Sequence, residues 1–250
     1  MSKQYIKVLT QNLKHRDYQW KFGLNELGLD DLGIEKIFNN EPKCTSNALY
    51  ICEIKDFFKW MTLNKHILWV AYATIPDDAQ VVIIEDKIKT DKVILHEPLI
   101  PIINFIDIAI SNNACIHNHE IDPLIWASQN GKLDIVESLI SHGADIHTDC
   151  DRPIYWASSN GHLPVVECLI KHGSKFNYDN HRCLRLASEN GNLDVVKCLL
   201  YHGGDIHAGL ATPRPDKVGV NDYALSHASR NGHLAVVEYL IAHGANKIEL

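Results

Sequence analysis

In the second half of the chain, apolar residues recur in blocks of four: Leu133/Val136/Leu139/Ile140, Leu163/Val166/Leu169/Ile170, Leu193/Val196/Leu199/Leu200 and Leu234/Val237/Leu240/Ile241. Spacings of three and four place each block on one face of a helix. Ahead of each block stands an Ala-Ser pair followed by Asn-Gly, at Ala127 to Gly131, Ala157 to Gly161, Ala187 to Gly191 and Ala228 to Gly232. Gly carries no Cβ penalty at left-handed angles and Asn tolerates them, so the pair predicts the end of a short first helix. In the first copy that helix runs from Pro123 to Gln129. Each unit is then two short antiparallel helices with too little core to stand alone. The Ala-to-Ala spacings are 30, 30 and 41 residues, and self-similarity at such a period predicts a stacked array whose copies bury each other's stripes. The recurring Ala marks a close approach of helices, where a longer side chain would overpack.

Residues 1–98 do not repeat. Tyr5 to Leu9 and Tyr18 to Phe22 alternate in the manner of half-buried strands, and Ala48 to Cys52, Ile67 to Thr74, Val81 to Ile84 and Lys92 to Leu95 also read as strands. Ile54, Phe57, Phe58 and Met61 sit at helical spacing, and Ile75 to Ala79 reads as a turn. The expected architecture is a small α+β N-terminal domain over 1–98 followed by an all-α solenoid over 99–250. Four repeats occupy 120–149, 150–179, 180–209 and 220–250. A degenerate copy precedes them over 99–119, where Ile103, Ile106, Ile110 and Ala114 align with Leu133, Val136, Ile140 and Ala144, and Asn113 replaces Gly.

The residues Ala157, Gly161, His162, Leu163, Val166, Leu169, Ile170 and Gly173, with Gly143-Ala144-Asp145, resemble the ankyrin repeat. That family's pattern is Thr-Pro-Leu-His-x-Ala-x-x-x-Gly-His-Leu-x-x-Val-x-x-Leu-Leu-x-x-Gly-Ala-Asp. The chain departs from it at the Thr position (Asp122, Arg152, Arg182, Tyr223) and the His position (Ile125, Tyr155, Arg185, Ser226). The family's Thr–His hydrogen bonding is therefore missing. The period also falls short of the usual value of about 33, and the deficit lies between Ile146 and Pro153, where the family places its hairpin finger. Lys21 to Asn25, Leu49 to Cys52, Ile75 to Val81 and Thr90 to Leu95 are similar to the N-terminal region of ankyrin proteins from giant amoeba-infecting viruses of the mimivirus type. The resemblance implies a non-enzymatic viral protein that mediates protein–protein interaction with a host protein in the host cytoplasm.

Charge narrows the partner. Residues 1–98 hold 13 Lys and Arg against 14 Asp and Glu, and residues 99–250 hold 11 against 17, so the array carries −6 of the net −7. An acidic array argues against nucleic acid and anionic lipid, both of which need a basic face. Seven cysteines without a close pair read as reduced thiols, and neither a secretion leader nor a membrane span is expected.

Several groups invite a chemical role. The His-Gly pairs at His142, His172, His202 and His243 form a ladder, but stacked repeats hold equivalent positions too far apart for one zinc ion. A His ending each helix and meeting its dipole is the structural reading. His117 and His119 could supply two metal ligands, yet His117 falls in register with His147 and His207. Cys44 or Cys52 with Asp56 and His66 could form a nucleophile set that no spacing selects. No phosphate-cradling loop is present, so no cofactor and no small-molecule substrate is expected. The Pro/Gly-rich insertion at 208–219 and the variable first-helix positions remain. Asp122, Arg152, Tyr155, Arg182 and Arg185, with Arg214 from the insertion, are the candidate partner-binding residues. An alternative makes the N-terminal domain a catalytic or recruiting module, with the array as its targeting arm in an adaptor for protein degradation.

Overall fold

The computed structural model describes residues 4–10, 14–15, 18–19, 21–26, 49–62, 67–84, 87–90, 92–117, 122–208 and 222–245. They fall into two compact units, Met1–Pro123 and Leu124–Leu250.

The first unit is built on an antiparallel sheet. Strand β1 (Tyr5–Thr10) lies between β5 (Leu49–Glu53) and β6 (Ile67–Thr74). Beyond β6 come β9 (Lys92–Leu95) and the edge strand β4 (Gly23–Glu26), while β8 (Lys87–Thr90) and β7 (Val81–Ile84) follow β5. A two-residue strand β10 (Ile100–Pro101) also pairs with β6, and β2 (Lys14–His15) with β3 (Tyr18–Gln19) makes a separate small ladder.

Alternation along the strands buries both faces. Tyr5 opposite Ala73 and Leu9 opposite Trp69 set one face, where Leu9, Ile51, Ala71, Ala73, Ile88, Val93 and Leu95 form a buried cluster. The opposite face carries Ile6 across from Tyr72. On it lie a 3₁₀ turn (Ile54–Asp56), helix α1 (Phe57–Thr62) and helix α2 (Ile102–Ser111). Phe57 and Phe105 meet at a tilt of 56°, with ring centres 5.1 Å apart, and Tyr72 meets Phe105 edge-on at 6.0 Å. Because α2 buries Phe105 and Ile106 completely, this unit extends past residue 98. The stretch from Tyr18 to Phe22 is not one strand: the ladder residues are Tyr18–Gln19 and then Gly23–Glu26, entered through Gly23 at φ 80°.

The second unit is four stacked helix pairs: α3 (Pro123–Gln129) with α4 (Leu133–Ser141), α5 (Thr148–Ser159) with α6 (Leu163–Lys171), α7 (Tyr178–Glu189) with α8 (Leu193–Tyr201), and α9 (Tyr223–Arg230) with α10 (Leu234–Ala242). First helices pack on first helices along α5, α7 and α9, and second helices on second helices from α4 to α10. Ala127, Ala157, Ala187 and Ala228 are all fully buried. The stripe differs in detail from the expected one. Ile135, Val136 and Leu139 are buried, while Leu133 and Ile140 at its edges are only half-buried. In the fourth copy Leu234 is exposed, since none of the described residues stacks beyond it.

Candidate partner-binding face

A helix of this kind ends with carbonyls that have no partner within it. Here the following repeat supplies one. Asn160 Nδ2 and His162 Nε2 both donate to the Gln129 carbonyl, at 2.8 and 3.0 Å. Asn190 and Asn192 donate to Ser159 O at 2.9 and 2.8 Å, and Asn231 and His233 to Glu189 O at 2.7 and 2.9 Å. The Asn-Gly-His/Asn motif is thus an inter-repeat fastener as well as a helix stop. It also explains the glycine twice over. Gly161 sits at φ 77°, and a Cβ there would lie 2.7 Å from Asn192 Oδ1, whereas Gly232 at φ 74° has nothing within 4 Å.

The missing finger is replaced by a left-handed turn. Asp149, Cys150 and Asp151 lie at φ 49°, 60° and 59°, which carries the chain from one repeat into the next in three residues. Left-handed L-residues cost roughly 1–2 kcal/mol each, so something must hold them. Asp151 is buried, and its Oδ1 accepts the Lys175 backbone N–H at 3.0 Å and His147 Nδ1–H at 2.8 Å. Arg152 closes a 2.8 Å ion pair with Asp149. One repeat on, His181 (φ 56°) accepts the Asp205 N–H at 3.3 Å, and Asp222 pairs with His207 Nδ1 at 3.0 Å. A polar post at 151, 181 and 222 therefore stands in for the absent Thr–His bonding. Sequence reasoning missed it, although Asp, His and Asp each stand six residues before the buried Ala.

Between the second and third repeats this turn borders a cavity of about 520 Å³, lined by Asp149, Cys150, Asp151, Arg152, Tyr155, Trp156, Lys175, Phe176, Arg182 and Cys183. Three of the expected partner-binding residues, Arg152, Tyr155 and Arg182, are brought together here. Arg182 donates to Tyr155 Oη at 3.2 Å, and its guanidinium carbon lies 4.4 Å from the Tyr155 ring centre. Tyr155 meets Trp156 edge-on at 5.0 Å, and Phe176 is buried. Burial pushes the Cys183 thiol up to about 12, so it stays protonated and inert.

The other expected residues lie elsewhere. Arg185 reaches Glu189 at 3.9 Å, and Glu189 also meets His227 Nδ1 at 3.2 Å. Burial lowers the His227 pKa more than Glu189 raises it. Asp122 precedes α3, one repeat away from the cavity, and Arg214 lies outside the described residues. The ladder histidines bond locally: His142, His172 and His243 donate Nδ1–H to carbonyls four residues back, at 2.9, 2.8 and 2.8 Å. The reading of 208–219 as a binding loop also falls mostly outside the described residues, as do Cys44, His66 and His119. No disulfide links the six cysteines among the described residues, and burial raises the thiol pKa at Cys168 and Cys198. Among the described residues no three metal-ligating side chains converge, and no helix is long and apolar enough to cross a membrane.

Stacked helix pairs fastened in this way define an ankyrin-type interaction module. Family models agree: the model for ankyrin repeats in three copies matches residues 124–209, and the single-repeat model matches residues 221–249. An uncharacterized protein of Acanthamoeba polyphaga mimivirus is 30% identical over 141 residues, covering 55% of this chain and 97% of that protein. The chain belongs to the ankyrin-repeat proteins of the mimivirus type. Ankyrin repeats mediate protein–protein interaction and are typically non-catalytic.

Proposed function

We propose that the array grips a protein of the infected host through its first-helix face, centred on Arg152, Tyr155 and Arg182, without chemistry of its own. The convergence of these three side chains on one cavity carries this reading. Arg and Tyr are common anchors at protein interfaces because each offers a large, polar-tipped surface. Arg185 forms the outlying part of the same face, Asp122 and Arg214 are further candidate partner contacts, and the host cytoplasm is where the protein operates. By sequence register we read residues 99–119 as a degenerate repeat, with α2 as its second helix, although α2 packs within the first unit. Asn113 at φ 62° and the Ala114 N–H to Ala109 O bond match Gly143 and the Ala144 N–H to Leu139 O bond.

A pulldown from amoebal lysate tests the proposal, comparing the full chain with a triple alanine variant at Arg152, Arg182 and Arg185. Loss of specific partners at unchanged circular dichroism is expected. An unchanged partner set would refute the face.

A further inference from the structure

We propose that the outer face of the fourth repeat is a second docking surface, separate from the cavity on the first-helix face. It receives the leading helix pair of another repeat protein, one whose first helix ends in Asn-Gly-His or Asn-Gly-Asn.

The fourth repeat differs from the other three at one matched set of positions. Ser128, Ser158 and Ser188 are fully buried, while Ser229 is half-buried. Val136, Val166 and Val196 are fully buried, while Val237 is half-buried. Leu133, Leu163 and Leu193 are half-buried, while Leu234 is 70% exposed. The carbonyls of Gln129, Ser159 and Glu189 each take two donors from the next repeat. The Arg230 carbonyl, at the same position, accepts no hydrogen bond from the described residues. A Cβ added to Gly131, Gly161 or Gly191 would lie 2.6, 2.7 or 2.5 Å from His162, Asn192 or His233 of the following repeat. At Gly232 the same space is open among the described residues. Residues 209–221 and 246–250 join the described chain at Ala208, Asp222 and Ala245, at the opposite end of α9 and α10 from the Asn231-Gly232 corner.

A repeat whose outer side faces water is kept soluble by a polar surface there. The fourth repeat instead keeps Leu234 and Val237, the apolar stripe of a covered repeat. It continues the contact made three times within the array, and those three junctions define what fits. The occupant brings an apolar stripe, an amide from the residue before its Gly and an amide or ring N–H from the residue after it, both aimed at one main-chain oxygen. A second copy of this chain is a poor match. Its leading repeat turns Asn130 Nδ2 back onto its own Trp126 O at 2.8 Å and carries Lys132 where the fastener has His or Asn. Two fourth repeats placed back to back also fail, because Asn231 and His233 are committed to Glu189 O.

The test uses the full chain and a labelled three-repeat consensus ankyrin protein lacking an N-terminal cap, with Asn-Gly-His in its leading repeat, read by anisotropy. A control probe carries Ala-Gly-Ala there. The first probe is expected to bind, and the control to bind about tenfold more weakly, the effect of losing two hydrogen bonds. Leu234→Glu changes an exposed side chain, so the melting temperature should hold while binding falls at least tenfold, because docking would bury an unpaired charge. Bound probe should slow hydrogen exchange over residues 229–241 and leave the cavity residues 149–156 unaltered. Absence of binding, equal binding of the two probes, an indifferent Leu234→Glu variant or protection at the cavity instead would overturn the proposal. So would self-association of the chain relieved by Leu234→Glu, which gives the face to a second copy. Binding only after deletion of residues 246–250 would give it to the chain's own residues and overturn the proposal equally.

Discussion

The two units hold themselves together in opposite ways. In the sheet unit, neighbours in space are distant in sequence: β1 pairs with β5 and β6, and β4 with β9. Its layers meet in the aromatic cluster of Phe57, Tyr72 and Phe105. In the array, each helix pair meets the next copy through one recurring set of contacts, namely the buried Ala, the apolar stripe and the Asn-Gly fastener. Damage to the first unit should therefore spread throughout it. Damage to the array should stay near the altered repeat, because its stability is close to a sum of nearest-neighbour terms.

Four perturbations sharpen this contrast. The largest effect is expected from Phe105→Ala, at about 3–5 kcal/mol for loss of a buried aromatic. Hydrogen exchange should rise across every strand of the sheet; a rise confined to α2 would contradict the cooperative picture. Ala187→Leu comes next, costing about 1–3 kcal/mol by overpacking. Its exchange signature should centre on α7 and fade beyond α5 and α9, and an unchanged melting temperature would remove the close-packing assignment. The glycines give a matched pair. Gly232→Ala meets only the left-handed penalty of roughly 1–2 kcal/mol. Gly161→Ala also displaces Asn192 from its bonds to Ser158 O and Ser159 O, adding about 0.5–1.5 kcal/mol. Equal melting temperatures for the two variants would disprove the fastener.

The smallest effect is pH-dependent. The folded-state pKa of His227 lies below its ordinary 6.5, so below that pH the unfolded chain binds the proton more readily. This contribution to stability is complete above pH 6.5 and is lost as pH falls through the folded value. His227→Gln should flatten the fall in melting temperature between pH 7.5 and 5, and an equally steep fall would exclude this residue as its source.

The same contrast explains what could be read from the sequence. The repeats declare themselves because four copies place Ala, Asn-Gly and the apolar stripe in register, so chance matches cancel. Strand β8, Lys87–Thr90, went unseen because its two lysines mask the alternation, yet Lys89 and Thr90 are both buried. Strands β5, β6, β7 and β9 are apolar enough to announce themselves. Within the candidate site, Arg152, Tyr155 and Arg182 could be chosen as variable positions on the first helices. Their meeting depends on the left-handed turn, which no single residue type signals. Arg185 lies one helical turn beyond Arg182, about 5 Å further along the same helix face, where it reaches Glu189 and does not line the cavity.

The fastener has an evolutionary consequence. At each of its three junctions the acceptor is a main-chain oxygen, which every amino acid provides, and the donor is either His or Asn. The main-chain part of this fastener is made whichever side chains the predecessor carries there. Whole units can then be duplicated, deleted or exchanged with their seams intact, leaving the cavity-lining positions to diversify on their own.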